Sequence, residues 1–186
     1  MNVELSPLFG YRTNMSFRTE PNPEGVSARV VLDSSPAPAV ALGVRYHDED
    51  VVEFRWIRQD TRLRVTGPSI ASVQRVTLDQ FHLDCAHEYV LDEWPQWARP
   101  YIMGSVGATH ISGGEGFPGF TRFSLGIGTG IKVFPFKKVG FKAQAQWLGL
   151  WVDPESKTFC NGGCIIQFSG KLVSQGEVTI GPVFRF

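Results

Sequence analysis

Phe123-Ser124-Leu125-Gly126-Ile127-Gly128-Thr129-Gly130-Ile131-Lys132-Val133 is the stretch whose reading decides the fold. Its odd positions are apolar or β-branched, and its even positions are serine, glycine or lysine. A period of two held over this length is a strand with two unlike faces, since helical side chains repeat every 3.6 residues. Glycine weakens a strand and marks places where something approaches closely. The even face therefore suits a crowded interior better than an open surface.

The same alternation recurs on both sides of this stretch. Leu5, Pro7, Phe9, Tyr11, Met15 and Phe17 alternate with Ser6, Gly10, Arg12 and Asn14. Pro38, Val40, Leu42, Val44 and Tyr46 alternate with Ala39, Ala41, Gly43 and Arg45. Val52, Phe54 and Trp56 oppose Glu53, Arg55, Ile57 and Gln59, ending in the charged run Arg58 to Arg64. Phe81, Leu83 and Cys85 oppose Gln80, His82, Asp84 and Ala86. Ile102, Val106 and Ala108 oppose Tyr101, Ser105 and Gly107. Phe141, Ala143, Ala145, Trp147 and Trp151 oppose Lys142, Gln144 and Gln146. Val178, Ile180, Pro182, Phe184 and Phe186 oppose Gln175, Glu177, Thr179, Gly181 and Arg185. Eight alternating segments result, with connections that are long (18–35, 66–74, 111–120, 153–171) and short (47–51, 88–98, 135–139) in turn. The connection at 88–98 is long for its side. This predicts an all-β, eight-stranded antiparallel up-and-down barrel using the whole chain, 1–186, as one domain.

Composition narrows the class. The chain has 186 residues, with 18 Lys plus Arg against 18 Asp plus Glu. That balance argues against a nucleic-acid partner, which would draw a basic excess. Aromatic residues at 12% exclude a disordered chain. Mean hydropathy is −0.07, and the longest stretch free of charged residues, Pro100 to Gly114, is broken by Gly, Ser and Thr. A spanning helix needs about 20 apolar residues, so membrane helices are excluded. A membrane barrel is not, because its alternating strands average to neutral hydropathy. Met1-Asn2-Val3-Glu4-Leu5 opens with neither a basic nor an apolar leader region, which reads as a cytosolic chain or a mature form.

The polar face separates a soluble barrel from a membrane one. A soluble barrel turns its apolar face inward and carries Lys and Glu outside. Here the polar face is small or amide-rich: Ala39, Ala41, Gly43, Gly107, Ser124, Gly126, Gly128 and Gly130. Its charges come in both signs, at Arg12, Arg45, Glu53, Arg55, Asp84, Lys142, Glu177 and Arg185. Buried charges must be paired, so these residues read as a lumen network plugging a barrel whose apolar face meets lipid. Tyr46, Trp94, Trp97, Tyr101, Phe134, Phe136, Phe184 and Phe186 gather near the short connections, as an interfacial girdle would.

Little reactive chemistry stands out. His82 and Asp84 share a face, but no serine joins them in the pattern of a nucleophilic triad. Asp48, Glu49 and Asp50 lack the glycine-turned loop of a calcium hand. Gly126 to Gly130 has no Lys-Ser/Thr and no following helix for a phosphate. No catalytic residue, cofactor or metal is expected. Cys160-Asn161-Gly162-Gly163-Cys164 carries two glycines that let a tight loop close, and a local disulfide is expected over zinc, since no histidine or second cysteine pair lies near. Cys85 reads as a small apolar residue.

Val178-Thr179-Ile180-Gly181-Pro182-Val183-Phe184-Arg185-Phe186, Arg99-Pro100-Tyr101-Ile102-Met103-Gly104 and Phe123 to Gly130 together resemble the small eight-stranded bacterial outer-membrane β-barrels. The Cys160–Cys164 loop with Phe159 is similar to an uncharacterised subset of that superfamily. The resemblance implies an integral protein of the outer membrane, with both termini and the short turns periplasmic and the long loops extracellular. It also implies that Phe184 and Phe186 carry the signal read by the barrel-assembly machinery. The partners so implied are outer-membrane lipid, that machinery, and a protein met through the outer loops or the barrel wall. The expected role is structural or interactive, alone or as one component of a larger envelope assembly; a narrow channel and a soluble lipocalin-like binder are the other two readings.

Overall fold

The computed structural model describes residues 2–18, 28–67, 70–114, 119–151, 157–160, 164–167 and 172–186. The strands in chain order are β1 (Asn2–Arg12), β2 (Met15–Arg18), β3 (Arg29–Leu32), β4 (Ser35–Pro36), β5 (Ala39–Arg45), β6 (Asp50–Gly67) and β7 (Ile70–Glu88). They continue with β8 (Ala98–Gly113), β9 (Phe120–Val133), β10 (Val139–Trp151), β11 (Lys157–Cys160), β12 (Cys164–Gln167) and β13 (Leu172–Arg185). Eight of them close a ring in the order β1-β13-β10-β9-β8-β7-β6-β5, every pairing antiparallel. Val3 and Phe186 exchange backbone hydrogen bonds, so the seam between first and last strand is paired to the final residue.

The register fixes the barrel's shape. A walk from Arg12 crosses Glu177, Gln146, Gly128, Met103, Ala86, Val51 and Arg45 and returns to β1 at Asn2. The return lies ten residues below the start, which is the shear of the barrel. With eight strands this gives a strand tilt of about 41° and a backbone radius of about 8 Å. Such an interior holds side chains and no open channel. Ten residues of strand climb about 25 Å along the axis, the height of a lipid-facing apolar band.

Within that height the apolar face points outward. Phe9, Leu42, Phe54, Leu83, Ile102, Leu125, Ile127, Phe141, Val178 and Ile180 are all exposed, Ile127 to 66%. Phe54 and Phe81 stack on the outside across a 6.5 Å separation of ring centroids. A continuous exposed apolar wall of this size is foreign to a soluble protein, which removes the lipocalin-like reading. One rim of the wall carries exposed Tyr11, Trp56, Phe81, Phe123 and Trp147; the end with both termini carries exposed Tyr46, Trp94, Trp97, Phe136 and Phe186. Phe134 and Phe184 are half-buried, and Arg185 lies over the Phe134 ring at 3.9 Å. Tyr101, expected in the girdle, is instead buried in the lumen; it has the inward parity of Met103 and Ser105, and its hydroxyl finds an amide partner there.

Several strands run past the apolar band, where the sequence suggested loops. The segment 66–74, expected as a loop, is strand up to Gly67 and again from Ile70, and β6 pairs β7 over its full length. The expected loop 18–35 contains β3 and the first residue of β4, and β3 pairs β6. Beyond Trp56 and Phe81 the polarity of the faces inverts. Outward positions become Arg58, Asp60, Arg62, Arg64 and Arg75, and inward positions become Ile57, Leu63, Val65, Val76 and Leu78. Water on the outside and a dry interior replace lipid outside and a polar interior, so the inversion marks the membrane boundary. Met15, Leu32, Val76, Leu78, Ile111, Leu150 and Val173 pack there into an apolar cap over the lumen.

β11 and β12 form a separate hairpin whose register sets Cys160 opposite Cys164. Their side chains lie outside the described residues, and the structure gives the expected disulfide no support. Cys85 is a free, exposed thiol on the outer wall.

Candidate functional site: the filled lumen

Alternation delivers one inward side chain for every two residues, and the tilt staggers them into tiers. At the end bearing the termini, Glu4 accepts hydrogen bonds from Lys132 at 2.6 Å, Arg185 at 2.8 Å and Arg45 at 3.2 Å. Glu88 meets Lys132 at 2.8 Å and Arg45 at 2.7 Å, with Arg99 at 3.9 Å on the rim. Two carboxylates thus share Lys132 and Arg45 in one closed cluster.

The middle tier is a single tight pair. Lys142 Nζ sits 2.6 and 2.8 Å from the two carboxylate oxygens of Glu53. Tyr101 lies between this pair and the cluster below, with Lys132 and Lys142 each 5.7 Å from its ring centroid. Its hydroxyl donates to Gln144 at 2.9 Å. The ring needs the space over Gly130, its cross-strand neighbour. A Cβ there would lie 2.4 Å from the Tyr101 hydroxyl and 2.5 Å from the Ala143 carbonyl.

In the tier nearest the cap, Glu177 binds Arg12 through Nε and Arg55 at 3.0 Å. Arg55 also meets Asp84 at 2.8 Å and donates to Gln146 at 2.7 Å. Arg12 donates to Gln80 at 2.6 Å, and Gln146 donates to Glu177 at 2.8 Å. His82 bridges Ser105 and Ser124. Arg12 and Arg55 are fully buried, and every charged partner around them is paired, as burial demands.

The structure brings the eight residues singled out in the sequence into these tiers: Arg12, Arg55, Asp84 and Glu177 in the upper, Glu53 and Lys142 in the middle, Arg45 and Arg185 in the lower. Arg45 and Arg185 are the partly exposed members. Sequence reasoning missed Glu4, Glu88 and Lys132 as ion-pair members. Parity would have found Glu4, which is in phase with Ser6 and Arg12. Glu88 was assigned to a connection, although β7 runs through it. Glu4, Glu53, Asp84, Glu88 and Glu177 face Arg12, Arg45, Arg55, Lys132, Lys142 and Arg185, so the interior is close to neutral. Triad-like chemistry would need room for a substrate. His82, Ser105, Ser124 and Asp84 are all buried. Among the described residues no group of three or more His, Cys, Asp or Glu side chains forms a metal site.

A closed eight-stranded ring with lipid-facing apolar walls and a polar, ion-paired interior is an outer-membrane β-barrel. A solved structure shares this fold. The chain is similar to Neisserial surface protein A, NspA, at 13% identity and a TM-score of 0.61 over 98% of this chain and 97% of that one. Ail, the attachment invasion locus protein of Yersinia pestis, covers 100% of both chains at 13% identity and a TM-score of 0.49. The N-terminal β-barrel domain of Pseudomonas aeruginosa OprF matches at 13% identity, with a TM-score of 0.47. No protein-family profile and no curated protein sequence matches the chain. At 13% identity the likeness to NspA shows the fold alone.

Proposed function

We propose that this protein is a non-conducting, non-catalytic integral barrel, residues 1–186 forming one domain, that serves the envelope as a structural and interaction protein. The filled lumen carries this reading. Its charges are engaged with one another, an apolar cap covers it, and no described space within it would admit a solute or substrate. The sheet projecting beyond the apolar band supplies a surface for a partner, within or outside a larger envelope assembly. In this reading both termini and the short turns face the periplasm, and the long connections face outward. Phe184, on the strand that closes the barrel, and Phe186, one residue past its end, serve recognition by the barrel-assembly machinery.

Two experiments test this. Protease shaving of intact cells is expected to cut within 111–120 or 153–171 and to leave the barrel membrane-bound; an abundant protein never cut there would refute outward display. Planar-bilayer recordings of the purified barrel are expected to show no unitary conductance above background. Reproducible single-channel steps would replace this reading with a narrow ion path through the lumen.

A further inference from the structure

The connection between β7 and β8, residues 89–97, is longer than an antiparallel pair requires, since about two residues can close one. It is nonetheless tightly built. Tyr89 N–H donates to the Pro100 carbonyl at 2.8 Å, Trp94 N–H to Leu91 at 3.0 Å and Ala98 N–H to Pro95 at 2.8 Å, the last two closing successive turns. Phe134 N–H donates to the Trp97 carbonyl at 2.7 Å, which ties the connection to the next turn. Against it, at the rim of the lumen, lies a cavity of about 310 Å³ lined by Val90, Leu91, Pro95, Gln96, Ala98 and Arg99. Small-molecule sites begin at about this size.

Arg99 is the least satisfied cation of the terminal-end cluster. It stands directly opposite Lys132 across β8 and β9, and like charges so placed repel. Its one ion pair among the described residues is with Glu88 at 3.9 Å, a carboxylate that Lys132 and Arg45 already hold at 2.8 and 2.7 Å. Its hydrogen bond to the Asp48 carbonyl is 3.5 Å long, and Arg45 donates to the same oxygen at 2.6 Å. The cluster sets Lys132, Arg45, Arg185 and Arg99 against Glu4 and Glu88, an excess of two positive charges. Lys132 is buried, whereas the Arg99 side chain is 29% exposed and borders the cavity. A negative charge in the cavity would satisfy it.

The rest of the lining selects the anion. Gln96 offers a carboxamide with no hydrogen-bond partner among the described residues, and Val90, Leu91, Pro95 and Ala98 offer apolar surface. Asp92 and Glu93, exposed in the same connection and in no ion pair among the described residues, oppose a multiply charged ligand. We infer that this cavity binds a small monocarboxylate with a compact apolar body, its carboxylate on Arg99 and Gln96 and its body against Val90, Leu91 and Pro95. A free acid and the C-terminal residue of a protein chain both present this chemistry.

The test uses the full chain in phosphatidylcholine nanodiscs, which leave both ends of the barrel open, so the result is independent of orientation in cells. The probe is 4-methylpentanoate, titrated by NMR. Saturable binding is expected, and Arg99→Gln is expected to weaken it roughly 10-fold or more, the effect of losing a charged hydrogen bond. The neutral amide of the probe is expected to lose a similar factor, and the control Lys138→Gln is expected to change binding less than twofold. Without probe, Arg99→Gln is expected to unfold at equal or higher urea than wild type, because its repulsion with Lys132 is gone; lost binding then reports the site and not the fold. Tighter binding of acetyl-leucyl-leucine than of the probe would support the site and name a chain terminus as the source; the reverse order would support it and name a free acid. Four results would overturn the inference: no saturable binding in the millimolar range, binding of the amide as tight as that of the acid, retention within twofold in Arg99→Gln, or displacement by equimolar inorganic phosphate.

Discussion

Lys142→Met removes one partner of the most isolated ion pair in the lumen. Lys142 Nζ holds both oxygens of Glu53, and the two side chains are 3% and 5% exposed. Its loss strands a carboxylate in a space that admits no water to replace the ammonium. Breaking a buried pair from one side costs about 3–5 kcal/mol, which is roughly a 100- to 4,000-fold shift in the folding equilibrium. Replacing both partners, as Lys142→Met/Glu53→Leu, removes the desolvation cost together with the attraction. The double variant is therefore expected within about 1–2 kcal/mol of wild type. The assay is a reversible urea titration in lipid vesicles, followed by tryptophan fluorescence and by the mobility difference between folded and heated protein. A single variant costing under about 1 kcal/mol, or a double variant costing more than either single, would refute the closed, dry lumen.

Gly130→Ala is expected to destabilise by about 1–3 kcal/mol, because the added Cβ meets both the Tyr101 ring and the Ala143 carbonyl; pairing it with Tyr101→Leu should recover part of that loss in the same titration. All five tryptophans are exposed, at positions 56, 94, 97, 147 and 151, and all are expected at or beyond the two interfaces. Lipids brominated near the carbonyls should quench their fluorescence more than lipids brominated at the chain ends, and the reverse order would displace the band. The expected Cys160–Cys164 link predicts that alkylation of unreduced protein tags one cysteine, Cys85, and that reduction raises the count to three by mass spectrometry; three tags without reduction would remove the bond.

The barrel was legible in the sequence because lipid enforces its rule on every residue within the band. A strand there must alternate, and Phe123 to Val133 shows the alternation without interruption. Parity alone then assigned Arg12, Glu53, Arg55, Lys142 and Glu177 to the interior. The same rule explains the misses. Past Trp56 the solvent changes from lipid to water, so the outward side chains become arginine and aspartate and the apolar alternation fades; with Gly67, Pro68 and Ser69 in it, 66–74 read as a loop, although strand runs to Gly67 and resumes at Ile70. Glu4 is in phase with Ser6 and Arg12 and was within reach of the same rule, whereas Glu88 stands at the end of β7, where the alternation runs into a polar connection. Tyr101 was drawn to the girdle by residue type, although its parity placed it with Ser105. Partners within the lumen lie far apart in sequence, as Arg12 and Glu177 do, and only the barrel's shear decides which inward residues share a tier.

The direction of the apolar face underlies the whole account, and one pair of substitutions tests it directly. Ile180 and Val73 are similarly exposed, at 58% and 66%, but Ile180 lies within the apolar band and Val73 on the projecting sheet opposite Arg64. Ile180→Arg is expected to cost about 2–4 kcal/mol in vesicles, the toll of an arginine facing hydrocarbon near mid-depth. Val73→Arg is expected to cost less than about 1 kcal/mol, the effect of a like-charge neighbour in water. Equal, small costs at the two sites would mean that both side chains are bathed in water and that this barrel does not sit in a membrane.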